Sequence, residues 1–395
     1  MTKSKSQLLT KEFTLLAISS FLFFGSFNMI IPELPDYLTS LGGAEYKGYI
    51  ISLFTITAAI SRPFSGKLTD TIGRVPIMIF GASVAFFVGI AYPIFTTVLG
   101  FMFLRLIHGF STGFKPTGTS AYVADIIPED RRGEAMGFLG MASSLGMALG
   151  PTIGTLMTSN YGYDFLFYFS GSIALLSIII LFNLKETLAV EKRKKFSLKL
   201  LKITKDDFFE PKVLAPAIVF LLSTFSFGLI LTIVPDLSAH LNIGNKGVYF
   251  TVFVLSSVAI RFIAGRASDL YGRIPVITVS MILLIIAMLL LSFTQTETTF
   301  YLSAFVYGIS LGMSSPTVFA WTADLANPKK IGRAFATIYI ALEVGIGIGA
   351  FVSAKIYSNN SDNFGHTFTT GAITAVFALI FSIVKHRAKQ RESRR

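Results

Sequence analysis

Long runs of apolar residues, nearly empty of charge, recur along this chain and decide what surrounds it. A helix that crosses a bilayer needs about 20 mainly apolar residues. Stretches of that kind lie at 13–32, 49–66, 75–96, 98–121, 135–157, 165–184, 213–234, 248–265, 274–294, 299–321, 332–356 and 367–384, twelve in all. Lipid offers the backbone no hydrogen-bond partner, so a spanning segment is a helix or a strand of a closed barrel. Barrel strands alternate apolar with polar residues, and these runs do not. The fold class that follows is an all-α membrane protein with twelve transmembrane helices. Only 14% of the 395 residues are charged, where soluble domains carry about a quarter. With no Cys in the chain, disulfides, thiol catalysis, Cys-zinc sites and iron–sulfur clusters are excluded. The four His, at 108, 240, 366 and 386, are too scattered for a metal site, so neither metal nor cofactor is expected.

On a soluble chain a net charge of +12 would point to nucleic acid. Placement argues otherwise here. With the N-terminus inside, 27 of the 34 Lys and Arg fall on the inner side, and the outer loops hold Lys47, Lys246 and Lys355. Arg62, Arg105, Lys115 and Arg261 lie within spans or at their ends. The positive-inside rule accepts one orientation only, with both termini cytoplasmic and the chain crossing the plasma or inner membrane many times. The cations then set topology and meet anionic lipid, not nucleic acid. The basic-then-apolar N-terminus reads as a retained first helix, because no small-residue cleavage site follows it.

The chain also repeats itself. Arg62, Gly66, Asp70, Gly73, Arg74 and Pro76 recur 199 positions later as Arg261, Gly265, Asp269, Gly272, Arg273 and Pro275. Gly109, Gly113 and Asp125 recur as Gly308, Gly312 and Asp324, and Gly146 and Gly150 as Gly345 and Gly349. Pro35-Asp36 returns as Pro235-Asp236, offset by 200. Six spans are thus duplicated in parallel, giving two pseudo-symmetric bundles, 1–190 and 211–395, joined by a basic cytoplasmic linker at 191–210. Duplicated halves of this kind hold their substrate between them, near the membrane midplane.

These motifs resemble those of the major facilitator superfamily. Gly66-Lys-Leu-Thr-Asp70-Thr-Ile-Gly73-Arg74 is similar to that family's signature between its second and third helices, and Gly265-Arg-Ala-Ser-Asp269-Leu-Tyr-Gly272-Arg273 is its copy. Arg105-Leu-Ile-His108-Gly109 resembles the fourth-helix motif of proton-coupled members, with His108 where Gln is common. Gly146-Met-Ala-Leu-Gly150-Pro151-Thr-Ile-Gly154 resembles the fifth-helix motif of antiporters, and Ile31-Pro32-Glu33-Leu34-Pro35 the first-helix ending of twelve-span drug/proton antiporters. The resemblance implies an exporter that exchanges protons for a small molecule. It also implies that Asp70 faces the N-terminal end of the eleventh helix, near Ile331, and latches the cytoplasmic side. Asp269 is expected to act likewise in the other half.

The residues themselves point to several roles. Gly146, Gly150 and Gly154 share one helix face. With Pro151 they form either a hinge and tight seam between the fifth and eighth helices, or plain helix packing. Gly66 and Gly73 suit tight geometry at a helix end, and Asp70 can pair with Arg74. Among 22 acidic residues, Glu343 alone lies deep within a span. It is expected to carry the proton, to bind a cationic substrate, or to pair with a basic residue of another helix. Arg105 must face a cavity or a partner, for which Glu33 and Asp36 stand as candidates unless they are solvated loop acids. Lys115 either binds an anionic group or reaches to the inner surface. His108 is a packing residue or a proton relay. Phe23, Phe24, Phe27, Phe225 and Phe227 are candidates for lining an apolar cavity.

The leading reading is a proton-coupled exporter of small amphipathic molecules, working by alternating access as a monomer in contact with lipid. The alternative is an exporter of one metabolite such as a sugar, siderophore or lipid. A receptor lacks its soluble domain here, an enzyme lacks a nucleophile–base pair or phosphate loop, and a passive channel has no use for a duplicated latch.

Overall fold

The computed structural model describes residues 10–128, 132–202, 210–326 and 331–393. Its helices are α1 (Lys11–Ile30), α2 (Leu34–Ser40), α3 (Lys47–Thr71), α4 (Arg74–Ala91), α5 (Val98–Ile126), α6 (Arg132–Phe182), α7 (Leu214–His240), α8 (Gly247–Tyr271), α9 (Arg273–Ser292), α10 (Glu297–Leu325), α11 (Ile331–Tyr357) and α12 (Phe364–Ser393). No strand occurs among the described residues. The first span is α1 extended by α2 through one 3-10 turn, Ile31–Glu33, which holds Pro32. The fifth and sixth spans are the two arms of α6, parted at Gly162, whose φ of 82° only Gly adopts freely.

Length and composition alone pass eight helices as membrane-crossing, or nine with α8 counted as a bent pair. One of the eight, Ala135–Phe182, is 48 residues long and holds two spans. The remaining two spans are α3 and α5, which carry Lys47, Arg62 and Lys67 in one case and Arg105, His108 and Lys115 in the other.

Helix starts follow ordinary capping. Thr10, Thr97 and Thr296 each accept a hydrogen bond from the backbone N–H three residues on. At the start of α4 the Glu186 carboxylate takes both the Arg74 and Val75 N–H groups, at 3.0 and 2.9 Å. Gly73 has a φ of 144°, and a Cβ there would sit 2.5 Å from that carboxylate. Gly66 differs from expectation: it lies within α3, with no described atom within 4 Å of where its Cβ would be.

Helices α1 to α6 pack on one another, and so do α7 to α12. The face Gly146, Gly150 and Gly154 meets α1, against Phe21, Gly25 and Met29, and not the eighth span as expected. The equivalent face Gly345 and Gly349 meets α7 at Leu221 and Phe225. A Cβ on Gly150 would lie 2.8 Å from the Gly25 carbonyl and 3.1 Å from the Met29 nitrogen, so the helices touch backbone to backbone. Gly150→Ala is expected to cost about 1–3 kcal/mol through overpacking, seen as a lower melting temperature of the purified protein; an unchanged melting temperature would show that the spacing is not set here.

Candidate functional site

Besides lesser contacts of α2 and α3 with α7, two helix pairs join the halves: α3 with α11, and α6 with α8. They are equivalent under the repeat, and so are their contacts. The loops at 72–73, 127–128 and 183–202 lie at one end of the molecule, where the Lys194 N–H bonds the Thr71 carbonyl and Lys67 bonds that of Lys202. This is the linker end; the other is the far end.

At the far end, Lys47 of α3 reaches Asp236 of α7 at 2.6 Å. Lys246, just before α8, reaches Asp36 of α2 at 2.6 Å and Glu33 at 3.3 Å. Lys47 and Lys246 are repeat equivalents, as are Asp36 and Asp236. Each half therefore lends a lysine to the other half's aspartate, as a two-fold interface requires. Glu33 is only 3% exposed and also accepts from the Thr155 hydroxyl at 2.8 Å. Gly48 sits against Ala350 and Ala354, Gly247 against Pro151 and Thr152, and Asn359 bonds the Ala44 carbonyl. The far end is closed. Burial alone would lower the Lys246 pKa, but the Glu33 and Asp36 carboxylates outweigh it and hold the ammonium above its ordinary value. A raised lysine pKa stabilises the fold below about 10.4 and is lost only as pH rises through the folded-state value. This lysine therefore does not sense physiological pH.

Halfway along the junction, Arg62 of α3 donates to Glu343 of α11 at 2.9 Å, with both side chains largely buried. The guanidinium also lies 4.4 Å from the Tyr339 ring centre. Glu343 is twelve residues from the start of α11 and fourteen from its end, so about 20 Å of helix lies on either side. Of the three roles open to this carboxylate in the sequence, pairing with a base on another helix is the one seen. Arg62 carried no assignment beyond its place in the repeat. Among the described residues, its equivalent Arg261 reaches only the Ser144 hydroxyl, at 3.4 Å.

One turn beyond these pairs toward the linker end, the helices part. At Gly66 and Gly265, and at Gly140 on α6, no described atom lies within 4 Å of where a side-chain methyl group would stand. Among the described residues, the contacts between the halves thus run from the far end to mid-depth, and below it free space stands beside Gly66, Gly265 and Gly140.

Arg105 does not meet Glu33 or Asp36, which are taken by Lys246. It is 2% exposed, donates to the Ile50 carbonyl at 2.8 Å and the Tyr92 hydroxyl at 3.2 Å, and lies over the Phe54 ring. His108 Nδ1 stands 3.3 Å from the same hydroxyl, and its Nε2 has no partner. Lys115 does not reach a surface. It is 1% exposed, donates to Ser20 at 3.3 Å and lies 4.9 Å from the Phe23 ring centre. Phe27 stacks on Phe54, and Phe23 and Phe24 pack beside it. Phe227 packs on Phe253 and Tyr307, and Phe225 is buried.

At the linker end, Arg74 is held by Asp70 at 3.1 Å and Asp125 at 2.9 Å, fastening α3, α4 and α5. Arg273 is held by Asp269 and by Asp324, the latter at 2.9 Å. The side chains of Asp70 and Asp269 are both 71% exposed, and no described contact carries either to the other half. The expected meeting of Asp70 with the start of the eleventh helix falls on residues 327–330 and the side chains of 331–333, which lie outside the described residues. Arg131, Lys329 and Lys330 lie outside the described residues.

The major facilitator superfamily model matches residues 16–232 and again 216–395, and the chain belongs to that family of transporters. The multi-drug resistance efflux pump PmrA of Streptococcus pneumoniae serotype 4 is 27% identical over 383 residues, covering 93% of this chain and 94% of its own. The quinolone resistance protein NorA of Staphylococcus aureus is 23% identical over 395 residues, covering 97% and 99%. In fold, the chain is similar to the crystal structure of a D-xylose-proton symporter, with a TM-score of 0.76 at 18% identity over 93% of this chain and 96% of that one. The protein is a multi-pass membrane protein.

Because the chain lacks Cys, spin labels placed through Ser40→Cys and Ala239→Cys can report the far end. Removing one partner of a buried ion pair strands the other at a cost of about 3–5 kcal/mol. Lys246→Ala is therefore expected to lengthen the measured distance in at least a tenth of the molecules, and Asp36→Lys combined with Lys246→Asp to restore the short one. An unchanged distance distribution in Lys246→Ala would remove the lysine from far-end closure.

Proposed function

We propose that the chain is a proton-coupled exporter of small amphipathic molecules, working by alternating access. The observation that carries this reading is Glu343, a buried carboxylate whose only ion-pair partner among the described residues, Arg62, belongs to the other half. A carboxylate and a guanidinium in this position hold the two halves together at mid-depth. With no ligand and no proton on Glu343, the pair keeps the far end shut and the carrier does not cross over. A cationic group of a substrate entering from the linker end competes with Arg62 for the carboxylate. A proton entering from the far side neutralises it. Either event releases Arg62, and the two cannot occupy one carboxylate together. Exchange follows, because the loaded or the protonated carrier reorients and the empty one does not.

The linker end is then cytoplasmic, in keeping with the basic residues around it and with the efflux-pump relatives. The far-end lysine–aspartate pairs part on outward opening. Asp70 and Asp269, with their exposed carboxylates, become free to meet the opposite half as the linker end closes. Arg105, buried with His108 and Tyr92, fixes α5 against α3 through the Ile50 carbonyl and so keeps the Arg62 helix in register. The two moving bodies are 1–190 and 211–395, a single chain is sufficient, and small molecules, protons and lipid are the partners. Export of a single metabolite is the lesser alternative, since the relatives reported above carry drug-resistance names.

In proteoliposomes, an imposed pH gradient should drive uptake or release of a cationic dye such as ethidium. Glu343→Gln is expected to abolish the response to the gradient, a loss of at least about tenfold in gradient-driven rate. Dye movement that ignores the gradient in the unaltered protein would refute proton coupling, and an unaltered response in Glu343→Gln would take that residue out of it.

A further inference from the structure

The repeat that relates Arg62 to Arg261 also relates Ser144 to Glu343, with the same offset of 199. The two mid-depth contacts are therefore the same contact seen twice, with two differences: the residue that faces the arginine, and Gly140 standing where Tyr339 places its ring against Arg62. In one, the arginine meets a carboxylate at 2.9 Å. In the other it meets a hydroxyl at 3.4 Å. The Arg261 Nε is buried without a hydrogen-bond partner, and no described acidic side chain forms an ion pair with this residue. An arginine keeps its charge wherever it is placed, and an uncompensated charge in a membrane interior is costly. One turn toward the linker end lie Gly265 and Gly140, whose missing side chains leave open space on both walls. The guanidinium thus stands at the inner limit of the opening, short of one counter-ion.

We propose that Arg261 and Ser144 form an anion subsite, and that the site as a whole takes zwitterionic amphipaths. The substrate's carboxylate meets the Arg261 fork and the Ser144 hydroxyl, two donors suited to its two oxygens. Its cationic group meets Glu343, and the apolar body lies between the halves. A cation alone satisfies one pole, an anion alone leaves Glu343 with Arg62, and a zwitterion satisfies both. This assignment of substrate class rests on the export reading, but binding at the subsite does not.

Rhodamine B, which carries a free carboxylate on a cationic xanthene, and its ethyl ester, which does not, form a matched pair of probes. Fluorescence polarisation on the purified full-length protein in nanodiscs measures affinity for each. The unaltered protein is expected to favour rhodamine B. Arg261→Gln and Ser144→Glu should each weaken rhodamine B binding about tenfold, which is the scale of one charged hydrogen-bonded contact. Both should leave ester binding within about twofold, which also shows that the variants are folded. Ser144→Glu supplies the missing carboxylate and recreates the contact of the other half. Equal affinity of the unaltered protein for both dyes, binding of neither, or an unchanged affinity ratio in both variants would overturn the subsite. If the binding pattern holds while neither dye moves in response to a pH gradient, the export reading fails and the subsite stands.

Discussion

A buried charge must be compensated, and in this protein the compensation crosses between two halves. Arg62 and Glu343 cannot be exposed to lipid singly without heavy cost, so the faces that carry them are drawn together at mid-depth. The far-end pairs, Lys47 with Asp236 and Lys246 with Asp36 and Glu33, continue the same junction outward. Their number and arrangement follow from the repeat: an interface between two equivalent bodies makes each cross-contact twice. Glycines on α1, α6, α7 and α11 hold each bundle tight beside this junction, and Gly48 and Gly247 bring the halves close at the far end, next to the polar pairs.

Symmetry accounts for the paired far-end contacts, and at mid-depth the two halves depart from it. The halves share their arginines at mid-depth and differ in what faces them, Glu343 on one side and Ser144 on the other. They share the linker-end clusters of Arg74 and Arg273, each tied within its own half. In the structure the far-end pairs are engaged across the halves, while no described contact carries the linker-end clusters from one half to the other. The polar group around Arg105 has no counterpart in the other half, where Ala304 stands at the equivalent position. Its links to Ile50, Tyr92 and His108 stay within one bundle, so it supports the moving surface without belonging to it.

Much of this was legible in the residues. Apolar length gave the spans, and Arg and Lys placement gave an orientation. The offset of 199 gave the duplication, and the isolation of Glu343 marked it for function. Partners were harder. Arg62 and Glu343 are 281 positions apart, and no periodicity joins them. Lys47 and Lys246 looked like ordinary outer-loop cations, although their equivalence under the repeat, set beside that of Asp36 and Asp236, was a usable sign. Two equivalent lysines and two equivalent aspartates at one end of a two-fold interface have reciprocal pairing open to them. The glycine face of the fifth span was read toward the wrong neighbour, because spacing fixes which residues share a face and not which helix that face meets. Gly66 was expected to serve tight geometry at a helix end, but it lies within α3 beside free space.

The central claim is that the charge state of Glu343 decides whether the halves may part. Distances between labels introduced by Ser40→Cys and Ala239→Cys, recorded by double electron–electron resonance across a range of pH, test it most directly. The account predicts that acid moves the unaltered protein from a short far-end distance toward a long one. With Glu343→Gln, which carries no charge at any pH, both distances should be present in proportions that pH does not alter. A pH response that survives intact in Glu343→Gln would contradict the account.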